Sequence, residues 1–123
     1  MPTGSCACGQ IRYSSEVPLM NGSCCHCSQC RKMSGHVWAS AQVPQEALTI
    51  TGPVHWISLT PRARRGVCPG CGAFLFWQGT NEDSISIGLG TLDAPVSVTL
   101  EKHIFTADKG SYYQLTDGLP QRP

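Results

Sequence analysis

Seven of the eight cysteines in this 123-residue chain stand at spacings that gather sulfur round a metal ion. Cys6-Ala7-Cys8-Gly9 and Cys68-Pro69-Gly70-Cys71-Gly72 are two-cysteine knuckles that together supply the four ligands of a closed, structural zinc site. Alternation of side chains places the sulfurs of Cys6 and Cys8 on one side of an extended or turning backbone. In the second knuckle proline presets φ, and glycine accepts the positive φ with which a chain curls round an ion. Between the knuckles, Cys25-x-Cys27-x-x-Cys30 offers three thiolates and has no partner cluster. Three protein ligands and an open fourth position are the coordination of a catalytic zinc. The same three residues suit a second structural zinc if Cys24, His26 or a distant histidine closes the shell. Cys24 and Cys25 are adjacent, so their side chains diverge. His26 lies between two ligands and faces away from them, as a core or supporting residue. His36, His55 and His103 read as ordinary strand or loop histidines.

Short, rigid elements are needed to hold such ligands. Turn signals at Val17-Pro18, Asn21-Gly22, Thr51-Gly52-Pro53, Gly79-Thr80-Asn81 and Asp117-Gly118 cut the chain into β-rich runs. Strands are predicted over 10–13, 37–43, 54–59, 73–77, 84–87, 96–100 and 103–106. Those at 84–87 and 96–100 alternate at period two, as half-buried strands do. Helical signal is limited to a turn over 29–33 after the metal ligands and a proline-initiated turn over 44–48. The expected fold is one mainly β, antiparallel domain over residues 1–123, pinned by zinc.

Composition narrows the function classes. Charged residues are 14% of the chain, against a usual ~25%. A net charge of +1 gives no basic footprint for nucleic acid. No apolar run approaches the ~20 residues of a membrane span. The N-terminus shows neither a basic start nor an apolar stretch, so no secretory signal is visible and a cytoplasmic setting is expected. Cytosolic thiols stay reduced, which favours metal over a disulfide framework. Seven ligand thiolates against two dications remove three charges, taking the formal +1 to about −2. Arg31 and Lys32 follow Cys30 directly, while Arg62, Arg64 and Arg65 precede Cys68. These cations either offset the anionic centres or bind the carboxylates of a substrate, for which the arginine fork is suited.

The motifs Gly4-Ser5-Cys6-Ala7-Cys8-Gly9, Cys25-His26-Cys27-Ser28-Gln29-Cys30-Arg31-Lys32 with Gly35, Cys68-Pro69-Gly70-Cys71-Gly72, Gly90-Thr91-Leu92-Asp93 and His103-Ile104 occur here in one order. In that order they resemble the glutathione-dependent formaldehyde-activating enzyme family. The resemblance implies a β-tent fold and two zinc ions per chain. One is structural, at Cys6, Cys8, Cys68 and Cys71; the other is catalytic, at Cys25, Cys27 and Cys30. It also implies a carbon–sulfur lyase that joins glutathione, or a similar thiol, to a small aldehyde such as formaldehyde. Arg31 and Lys32 are then candidates to hold the glutathione carboxylates. A trithiolate zinc carries a net −1, which suits delivery of a thiolate better than polarisation of a carbonyl. Two other readings stand beside this one. A zinc-stabilised binding module of the exchange-factor-like kind would carry two fully coordinated metals. A redox enzyme like the sulfoxide reductases would need Cys24, the cysteine outside the pattern, as its reactive thiol.

Overall fold

Period-two runs separated by turn residues become ten strands in the computed structural model, which describes residues 1–123. In chain order these are β1 (Thr3–Ser5), β2 (Arg12–Ser15), β3 (Met20–Cys25), β4 (Trp38–Pro44), β5 (Leu48–Thr51), β6 (His55–Thr60), β7 (Ala63–Val67), β8 (Phe74–Gly79), β9 (Ser84–Gly88) and β10 (Lys102–Ile104). They form two open sheets, a small one in the order β1-β2-β5 and a large one in the order β10-β3-β4-β9-β8-β7-β6. Every pairing is antiparallel except that of β10 with β3, which is parallel.

One helix, α1 (Ser28–Ser34), follows β3 after two residues. Cys27 caps its N-terminus, the Sγ atom accepting the Cys30 amide at 3.3 Å. Gly35 ends it in the left-handed region at φ 89°, where a side chain would be strained, and donates its amide to the Arg31 carbonyl at 2.8 Å. The predicted turn over 29–33 is therefore a full short helix. Pro44 introduces a single 3-10 turn at Gln45–Ala47, as expected.

The main core lies between the sheets. Tyr13 of β2 meets Phe76 of β8 edge-to-face with centroids 5.5 Å apart, and Ile11, Leu75 and Ile87 are wholly buried around them. Burying a ring such as that of Phe76 contributes roughly 2–3 kcal/mol. Gly66 of β7 faces Phe76 across the ladder, and a Cβ there would press on Val54, Trp56 and Phe76. A second, smaller cluster joins Cys25 and Cys30 to Trp38 and Phe74, whose rings stack at 4.2 Å with an 8° interplanar angle.

The run over 96–100 is not a strand. Its place beside β3 is taken by β10, and the segment is tethered by the Glu101 amide on the Gly22 carbonyl at 2.9 Å. The Thr99 carbonyl sits over Gly22, where any Cβ would strike it. Val98 packs against the core while Val96, in the same phase of the alternation, faces solvent, so the run does not behave as one face of a strand. The strand predicted over 103–106 stops at Ile104, because Phe105 turns left-handed at φ 54° and a 3-10 turn follows. Strands β1, β3, β5 and β7 lie outside the predicted runs.

Candidate metal centre

The two knuckles meet although 60 residues separate them. The Sγ atoms of Cys6, Cys8, Cys68 and Cys71 all lie within 4.8 Å of one another. Cys6 and Cys8 are 3.6 Å apart at sulfur, and Cys8 and Cys68 3.7 Å. A tetrahedron with zinc–sulfur bonds of ~2.3 Å has edges of about 3.8 Å, so the four atoms are spaced as zinc would space them. Backbone amides support the sulfurs, Ile11 N–H donating to Cys6 at 3.2 Å and Cys71 N–H to Cys68 at 3.4 Å. Gly9 and Gly72, both at φ 78°, make the two tight returns. Cys6 and Cys68 are buried, while Cys8 and Cys71 face solvent. Amides of Ala73 and Cys8 bring the Cys71 thiol down to about 6. This cluster joins the end of β1 to the β7–β8 turn, and so ties the small sheet to the large one.

The second set, Cys25, Cys27 and Cys30, converges within the same 4.8 Å. Cys25 ends β3, Cys27 caps α1 and Cys30 lies in its first turn, so one strand–helix corner supplies all three. Cys25 and Cys30 are buried against Trp38 and Phe74, and Cys27 is partly open. The neighbouring Cys30 side chain, with the Cys27 amide and the Arg65 charge, outweighs burial and brings the Cys25 thiol down to about 6. The same contact, with burial, pushes the Cys30 thiol far up.

Of the three arginines that precede Cys68 in the sequence, Arg65 is the one that reaches this corner. It is 3% exposed. Its Nη2 donates to Gln29 Oε1 at 2.7 Å, whereas Nε and Nη1 have no partner. A buried guanidinium without a counter-charge is costly, and no carboxylate pairs with this one. Three thiolates on a divalent zinc would carry a net −1, a charge of the sign this guanidinium lacks. The donor set and the orphaned guanidinium therefore fit a zinc ion at Cys25, Cys27 and Cys30.

The other predicted residues lie around this corner. Arg31 is half-buried on α1, its Nε donating to the Asp108 carbonyl at 3.1 Å, and Lys32 is exposed. Arg62 is exposed, and Arg64 is engaged by Gln78 Oε1 at 2.8 and 3.1 Å and by the Trp56 ring at 3.9 Å. A cleft of about 440 Å³, walled by Met33, Trp38, Ala73, Phe74, Gly88 and Gly90, shares Trp38 and Phe74 with the packing round this corner, although no cysteine lines it. A groove of about 420 Å³ between the N-terminus and Pro95–Val98 holds none of the cysteines.

His26 faces away from Cys25 and Cys27, as expected, and is 1% exposed. His36 and His55 are exposed, in a loop and a strand. His103 is not an ordinary strand histidine. It is buried, its Nδ1 lies 2.9 Å from His26 Nε2, and its Nε2 lies 2.8 Å from Asp117 Oδ2. No local signal could find this pairing, because its partners are 77 and 14 residues away.

A solved structure of a Rhodobacter sphaeroides protein superposes with a TM-score of 0.61 at 22% identity, covering 75% of this chain and 88% of that one. At that identity the likeness establishes the fold. No curated protein matches the sequence. No helix is long and apolar enough to cross a membrane. Residues 1–108 match the family described as glutathione-dependent formaldehyde-activating enzyme, a span that contains every cysteine. The chain belongs to the glutathione-dependent formaldehyde-activating enzyme family.

Proposed function

We propose that this chain is a carbon–sulfur lyase that adds the thiol of glutathione to formaldehyde, reversibly forming S-hydroxymethylglutathione. The supporting observation is the inequality of its two sulfur centres. One gathers four cysteines and is complete; the other gathers three beside a buried, unpaired guanidinium, and its packing shares Trp38 and Phe74 with an open cleft. In the addition the S–H bond breaks and an S–C bond forms. The carbonyl π pair becomes the lone pair that takes the proton, so no oxidant or reductant is consumed. A zinc held by Cys25, Cys27 and Cys30 would supply a positive charge that keeps the incoming thiol as thiolate, its nucleophilic form.

The chain's own residues do the rest. Cys27, as helix cap, fixes the corner that aims the three sulfurs at one point. The stacked Trp38–Phe74 pair walls the cleft and packs against Cys25 and Cys30. Arg65 holds its charge against Cys25 and opposes the net −1 of the loaded centre. Arg31 and Lys32, the two residues that follow Cys30 on α1, receive the substrate's carboxylates, and Arg31 is anchored for that by the Asp108 carbonyl. Zinc at Cys6, Cys8, Cys68 and Cys71 has the structural role. The substrate is then a small thiol–aldehyde pair, and the setting a reducing cytoplasm.

Exchange between free formaldehyde and glutathione, followed by exchange NMR, should be accelerated by the zinc-loaded chain. Cys27→Ser should lower that acceleration by at least ~100-fold. A rate equal to the uncatalysed one with fully loaded protein would refute the assignment. Arg31→Ala and Lys32→Ala should each raise the half-saturating glutathione concentration, and an unchanged value would remove that residue from the binding site. Arg65→Gln should weaken zinc at the three-cysteine centre by roughly 10–100-fold in a chelator competition. Arg65→Lys should recover part of the loss. Equal affinities in all three proteins would show that the guanidinium is not the counter-charge.

A further inference from the structure

We infer that Cys24, His26 and His103 form a third metal site, which takes a zinc-class divalent ion through one sulfur and two imidazole nitrogens. The site is independent of the reaction proposed above and uses none of its ligands. Cys24 Sγ and one nitrogen from each histidine lie within 4.8 Å of one another, and the three residues are 5%, 1% and 4% exposed. Strand geometry makes the convergence. His103 of β10 stands directly opposite Cys24 in the parallel ladder with β3, and His26 follows Cys24 by two residues on the same face. Cys25 points to the other face, so the two centres sit on opposite sides of one strand.

The outer ends of both imidazoles are already held. His103 Nε2 lies 2.8 Å from the Asp117 carboxylate, which as an acceptor requires the proton on Nε2 and leaves a lone pair on Nδ1. His26 Nδ1 is bonded to the Tyr113 hydroxyl. A carboxylate or hydroxyl on the far nitrogen is the usual support of a metal-ligating histidine. The two inward nitrogens are 2.9 Å apart, so either a proton or a cation lies between their lone pairs. A bridging proton needs only the two histidines. The third donor, Cys24, is an unbridged cysteine with no place in either sulfur cluster, and a metal accounts for it. Two nitrogens on one zinc stand about 3.3 Å apart, so the rings separate by roughly 0.4 Å as the ion enters. The Cys24 thiol releases one proton to solvent on binding. Its thiolate and the Asp117 carboxylate then neutralise the dication, and a water completes four-coordination. Asp117 is 46% exposed at its side chain and marks the route from the surface.

The test is zinc content at saturation, by elemental analysis of intact reduced chain after dialysis, with cobalt(II) as an optical probe. Three ions per chain are expected. Cys24→Ala and His103→Ala should each hold two, with the sulfur-to-cobalt bands of the cysteine clusters intact. Asp117→Asn keeps all three donors, so it remains informative if the other variants fail to fold. It should lower the affinity for the third ion by roughly 10–100-fold. Wild-type saturation at two ions would overturn the site in favour of a proton-bridged histidine pair. A third ion whose affinity is the same in all three variants would place that ion elsewhere and overturn the site equally.

Discussion

Four sulfur atoms from two distant hairpins have to converge on one point, and the rest of the structure is arranged round that requirement. The convergence of Cys6 and Cys8 with Cys68 and Cys71 fixes where the small sheet meets the large one. Strands of three to seven residues bury little surface each. A structural zinc in a small domain supplies ~10–16 kcal/mol of apparent binding free energy, comparable with a whole domain's net stability of ~5–15 kcal/mol. With the seam fixed, Tyr13 and Phe76 close the core between the sheets. β7 and β8 are then held in register, and that register sets Arg65 beside the three-cysteine corner.

Charge links the two ends of this arrangement. The chain has few charged residues, yet it buries an arginine whose Nε and Nη1 have no protein partner. An anionic centre beside it would offset that cost, and the three-cysteine corner would be one with zinc bound. β3 divides the interior chemically. Cys25 on one face leads into the sulfur corner, while Cys24 and His26 on the other lead through His103 to Asp117. One strand thus carries adjacent cysteines into two different environments.

What was legible in the sequence was local. Knuckle spacings, the turn at Pro69-Gly70 and the divergence of Cys24 from Cys25 follow from a few bonds, and the structure places them as expected, except that the positive φ falls at Gly72 and not at Gly70. Strands whose identity comes from their neighbours were not legible. β7 reads Ala-Arg-Arg-Gly-Val, which no strand propensity favours; it pairs on both sides, leaves Gly66 room for Phe76 and uses Arg65 as a charge. β3 reads Met-Asn-Gly-Ser-Cys-Cys and is a strand because β4 and β10 flank it. The run over 96–100 failed in the opposite way, having the alternation of a strand without an edge to join. His103 looked ordinary because its partners arrive from elsewhere in the chain.

The central claim is that the four-sulfur centre is scaffold and the three-sulfur centre is open to a thiol. Cadmium-113 NMR of the cadmium-loaded chain tests this most directly, since each bound ion reports its own sulfur count. Titration with glutathione should move the three-sulfur resonance toward the four-sulfur region and leave the resonance of the Cys6, Cys8, Cys68 and Cys71 centre in place. Two four-sulfur resonances before any glutathione is added, both indifferent to it, would contradict the account.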